Sequence, residues 1–230
     1  MSYYLETHYK SDQNNKMAGI LDLLNSDLGK SIISGVAGST GQETSKTNSV
    51  LTMALPVLMK AMERNSASTQ GAEGLMGALD KHDGSILDNL GDFFNGGVNA
   101  DVIQDGGNIL KHVLGNKQQD VEKVLSQKSG MDANAVANIL KTAAPILMGV
   151  LGKQSREKNV NNSNDLGGLI GGLLGGSSAD KEQSFLEQIL DADGDGSVVD
   201  DVAGMILGGA SKQKSGGMLG GLLGGLFGKK

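Results

Sequence analysis

Asp191, Asp193 and Asp195 stand two residues apart in the run DADGDGS, and Gly196 and Ser197 close it. This is the front half of an EF-hand-type calcium loop: alternate carboxylates on a tightly curled backbone aim at one centre, and the glycine permits the sharp turn. Ser197 would supply its backbone carbonyl at the seventh position. A full loop asks for a bidentate glutamate at the twelfth, where this chain has Val202. Asp200 and Asp201 precede it, so the expectation is a shortened loop that closes on one of them. The ligand set is then Asp191, Asp193, Asp195, Ser197 and Asp200 or Asp201, and the ion is Ca2+. A plainer reading competes. Ser197 followed three residues on by Asp200 fits a helix N-cap, and Asp-Gly pairs are common turn formers. Five carboxylates between 191 and 201 nevertheless repel one another unless something neutralises them.

A related run, Asp80-Lys81-His82-Asp83-Gly84-Ser85, is one residue shorter and carries a lysine. It keeps the cap pattern, Ser85 with Asp88, but not the ligand set, so metal is not expected there. Other chemistry is thinly represented. The three histidines, His8, His82 and His112, have no partner at metal-ligand spacing and no nucleophile beside them. The Gly-Gly pairs lack the Lys-Ser/Thr of a phosphate-binding loop. No catalytic residue is assigned, and the expectation is that the protein is not an enzyme.

What must position these loops is a pair of apolar blocks. VLTMALPVLMKAM at 50–62 returns as ILKTAAPILMGVL at 139–151, and the chain's two prolines, Pro56 and Pro145, fall at the same point of each. Such recurrence points to an internal duplication. Both blocks are apolar nearly all round, as buried helices are. Proline inside a helical pattern predicts either a kinked helix or two helices that meet at the proline. Only 3% of residues are aromatic against 38% hydrophobic, so the core is aliphatic. No run of period-two alternation is present, and the expected class is all-α.

Along the chain, residues 1–16 hold all three tyrosines and read as an N-terminal extension without structure of its own. The first helical repeat spans 17–104. Ser26 or Asp27 caps its opening helix, Ser45 or Thr47 caps the first proline block, a short helix lies near 75–79, and a DGS-capped helix covers 86–94. The second repeat, 105–209, includes an added helix at 121–125, a proline helix capped by Asp132 and ending near Leu151, and an inserted Asn- and Gly-rich segment at 159–178. A Gly/Leu-rich tail, 210–230, completes the chain. The segments 166–176 and 216–228 share a four-residue Gly-Leu repeat. Each glycine costs ~1 kcal/mol of helix stability relative to alanine, so these segments are expected to fold only against something: a membrane surface, a partner or another copy.

The phrases LLNSDLGKSIISGVAGSTGQ, VLTMALPVLMKAM, DGSILDNLGDFF, SGMDANAVANILKTAAPILMGVLGKQ and LDADGDGSVVDDVAGMILGG resemble the bacterial domain-of-unknown-function family nine-three-seven, and the second half resembles the YidB-like proteins. The resemblance implies a bacterial helical protein and carries no activity and no catalytic residues. The net charge of −6 leaves no electrostatic footprint for nucleic acid. There is no cysteine, no apolar run of membrane-spanning length and no signal peptide at the start, so the expected compartment is the cytoplasm. The functional expectation is a non-enzymatic, calcium-stabilised binding or scaffold module with an unidentified protein partner. The alternative is a membrane-surface or self-associating protein that acts through its Gly-Leu segments.

Overall fold

The computed structural model describes residues 19–95 and 97–175. Ten α-helices follow one another there: α1 (Ile20–Asn25), α2 (Asp27–Thr40), α3 (Thr44–Ser66), α4 (Thr69–Lys81), α5 (Ser85–Asp88), α6 (Leu90–Phe94), α7 (Ala100–Leu114), α8 (Gln118–Ser129), α9 (Ala133–Glu157) and α10 (Ser163–Leu174). No strand occurs among the described residues, and the class is all-α.

Local chemistry sets most of the helix starts. Ser26, Ser68, Asn99, Asp132 and Asn162 each accept a hydrogen bond from a backbone N–H of the first turn, and such a cap is worth about 1 kcal/mol. Ser26 and Asp132 stand as the sequence predicts. Neither Ser45 nor Thr47 caps α3, which begins at Thr44 with Glu43 before it. Thr47 is instead fully buried inside the helix, and its hydroxyl has no hydrogen-bond partner. Burial wins there because Val50, Leu51 and Ala54 follow on the same face and are themselves buried.

The two proline blocks form the centre. Pro56 lies inside the continuous helix α3 and Pro145 inside α9, so neither block is two helices meeting at a proline. Leu51, Ala54, Pro56, Leu58 and Met59 are buried in α3, as are Leu140, Ala143, Pro145, Leu147 and Met148 in α9. α9 runs beyond the expected end at Leu151 to Glu157 and packs against α2, α3, α4, α5, α7, α8 and α10. It is the one described helix long and apolar enough to cross a membrane, and 78% of its apolar window is buried within the protein. Buried apolar area of this extent is the main favourable term in folding.

The segment 159–178, expected as an insertion, contains α10. Leu166, Leu169, Ile170 and Leu173 are buried, and the helix packs on α3 and α4. Its pattern repeats that of α4. Ser68 caps α4 and Asn162 caps α10, while buried Ala72, Leu75 and Leu79 correspond to Leu166, Leu169 and Leu173, each pair 94 positions apart (68 to 162, 72 to 166, 75 to 169, 79 to 173). Four glycines at ~1 kcal/mol each oppose the helix; burying four large aliphatic side chains at about 1.5–3 kcal/mol each outweighs them.

Candidate functional site

The six expected ligands, Asp191, Asp193, Asp195, Ser197, Asp200 and Asp201, lie outside the described residues, as do the extension 1–16 and the tail 210–230. Among the described residues no three His, Asp or Glu side chains gather where a metal ion could sit. The shorter loop, Asp80–Ser85, is described, and its geometry shows what such a loop does in this fold.

It joins α4 to α5 and lies on α9. Gly84 adopts φ 93°, a left-handed conformation that glycine takes without penalty. The Asp83 carboxylate accepts from the backbone N–H of Ser85 at 2.9 Å. Ser85 is therefore the first residue of α5 and not its cap; the cap position is Gly84, and Asp83 holds the turn. Hydrogen bonds from the Ser85 hydroxyl and N–H, with the Arg156 guanidinium nearby, hold the Asp83 carboxyl down to about 2 from the ordinary 3.8.

Arg156, near the end of α9, reaches across to the loop. One guanidinium nitrogen donates to the Asp83 carbonyl and another to the Asp80 carbonyl, both at 3.2 Å. The Asp83 carboxylate stands 3.4 Å from the same group. A cation is thus held by two backbone carbonyls and a carboxylate of one short loop. One turn back along α9, Gly152 lets the His82 carbonyl lie directly on the helix backbone, and any Cβ there would overlap it. Gly149 makes the same allowance for the side chain of Ile86.

His82 is used in the same way. Its Nδ1 is 2.9 Å from the Ala78 carbonyl and its Nε2 is 2.9 Å from Asp105 Oδ2 on α7. Both partners are acceptors, so the ring satisfies both only when doubly protonated; the neutral ring donates to one of them. The residues with chemical potential around this loop act as clamps between α4, α7 and α9. Reasoning from the sequence missed Arg156, Gly149, Gly152 and the His82–Asp105 pair. The available signal was the 149, 152, 153, 156 spacing, which places two glycines and two cations on one helical face. His112 is exposed on α7.

A small apolar pocket of about 20 Å³ lies among α1, α2, α3 and α9, lined by residues including Leu23, Ile32, Leu55 and Ile146. It has room for about one water molecule, far below the several hundred Å³ of a ligand pocket.

The geometry defines an all-helical protein built on two central proline-containing helices and clamped by its acidic loop. It belongs to the family described as bacterial protein of unknown function (DUF937), which residues 22–154 match, more than half of the chain. No curated protein and no solved structure matches it.

Proposed function

We propose that the chain is a non-enzymatic bacterial binding or scaffold module of duplicated design, cytoplasmic, and stabilised by calcium at Asp191, Asp193, Asp195, the Ser197 carbonyl and Asp200 or Asp201. One observation carries this reading. In the loop Asp80–Ser85 two backbone carbonyls and a carboxylate contact a cation, the Arg156 guanidinium. The run at 191–197 repeats the Asp-Gly-Ser core with two further aspartates, so its need for a positive charge is greater. Calcium, a hard cation that takes six to eight oxygens, meets that need with backbone carbonyls and carboxylates together. The test is calorimetric titration of the full chain with calcium. One site, abolished in Asp193→Ala and retained in Asp83→Ala, supports the reading; no heat and no change in melting overturns it.

A second reading, association through the Gly-Leu segments with a membrane surface or another copy, draws support from α10. The segment 166–174 uses its Leu/Ile face to dock on helices, which favours a protein groove over lipid as the surface such segments seek. Vesicle co-sedimentation and light scattering on chains with and without 215–230 separate the two.

A further inference from the structure

The segment that the α3/α4 groove seats has a near-copy later in the sequence of the same chain. Leu166 to Leu174 reads LGGLIGGLL; Leu219 to Phe227 reads LGGLLGGLF. Position by position, 53 residues apart (166 to 219, 174 to 227), the four buried residues Leu166, Leu169, Ile170 and Leu173 become Leu219, Leu222, Leu223 and Leu226. The two glycines turned toward α3, Gly167 beside the Ser66 hydroxyl and Gly171 beside the Glu63 carboxylate, become Gly220 and Gly224. Asn162, whose side chain caps α10, becomes Ser215, which can accept the same hydrogen bond. The two changes inside the nine residues are conservative: Ile170 to leucine, and half-buried Leu174 to phenylalanine.

We propose that Leu219–Phe227 is a reserve occupant of the α3/α4 groove and takes the place of α10 within the same chain whenever α10 leaves it. The groove recognises a helix with Leu at the first, fourth and eighth positions, an aliphatic residue at the fifth, and glycine at the second and sixth. Both segments carry that pattern. α10 is the resident because a short connection ties it to α9, whereas 215–227 must close a longer loop. The entropy of loop closure grows only slowly with length, so the longer tether lowers occupancy without abolishing it. A segment on the same chain also outcompetes the identical segment of another copy, through its higher effective concentration. Exchange would free 163–174 to bind elsewhere while the core stays covered. The inference is independent of any cation at 191–201.

The experiment is a two-by-two set of variants read by thermal melting. Leu169→Asp with Ile170→Asp unseats α10; ending the chain at Lys214 removes the reserve. Ending the chain alone should leave Tm nearly unchanged, and unseating α10 alone should lower it modestly. The two together should lower it by clearly more than the sum, because only then is the groove bare. Equal losses from unseating α10 with and without 215–230 overturn the proposal. The chain has no cysteine, which permits a direct check that does not depend on stability. Ser66→Cys with Gly220→Cys, placed in the unseated chain, should oxidise to a monomer with an internal disulfide. A disulfide-linked dimer, or no disulfide, overturns the intramolecular exchange.

Discussion

Gly106 of α7 lies on the carbonyl of Lys141 in α9, so closely that any Cβ at 106 would overlap that oxygen. Lys141 is four residues before Pro145, so its carbonyl is the acceptor that proline leaves without its usual helical donor. The contact of α7 with α9 is the most extensive between any two described helices, and glycine at 106 is what allows it. At the first proline the corresponding residue, Thr52, is exposed.

Gly106→Ala should therefore destabilise the protein by roughly 1–3 kcal/mol, the usual cost of overpacking, despite alanine's higher helix propensity. Gly77→Ala on α4, where nothing lies within 4 Å of the added methyl, should stabilise by up to about 1 kcal/mol. Urea denaturation of the two variants checks the opposite signs.

Asp83 makes part of the stability depend on acid. Its folded value, about 2, is below the ordinary 3.8, so its contribution is present above 3.8 and is lost as pH falls from there through about 2. Asp83→Asn should flatten the fall of Tm across that window. The leading cause is the Ser85 hydroxyl, so Ser85→Ala should move the Asp83 titration, followed by carboxyl NMR, upward by more than Arg156→Gln does.

The local parts of this fold were legible in the sequence, and the non-local parts were not. The Ser26 and Asp132 caps are decided within a few residues, and both were readable. Thr47 looked like a cap because threonine caps helices, but its place is set by the apolar face that follows it. The segment 159–178 read as an insertion, and the glycines of 166–176 as unable to hold a helix without a surface to fold against. What makes 163–174 a helix is a groove built by α3 and α4, roughly a hundred residues earlier in the chain. Arg156 was invisible for the same reason: the carbonyls it holds belong to Asp80 and Asp83. The acidic run at 191–201 was conspicuous through charge spacing alone, which specifies a ligand set without the packing around it.

Thr47 is a buried polar group without a partner, and such a group costs about 1–3 kcal/mol. Thr47→Val keeps the shape and removes the hydroxyl. Its counterpart 89 residues on (47 to 136) is Val136, also fully buried. Thr47→Val should raise Tm by about 2–4 °C for each kcal/mol recovered in a chain of this size. Thr47→Ala, which leaves a cavity, should not.

The acidic run makes the last prediction. If calcium binds the assembled loop and not the open chain, it stabilises the fold by mass action, about 2.7 kcal/mol when the free ion is a hundred times its dissociation constant. Asp193→Ala or Asp195→Ala should remove most of that gain. Without calcium the same changes should be neutral or slightly stabilising, since each relieves repulsion among the carboxylates of 191–201. Asp83→Ala should leave the calcium response intact, because Arg156 already supplies the charge there. Magnesium should substitute poorly, since it demands a tighter octahedral shell and gives up its waters reluctantly. Melting curves of the four proteins, each with calcium, with magnesium and with chelator, make the comparison. Equal melting under all three conditions would leave Ser197 and Asp200 as a turn and a cap, with no ion between them.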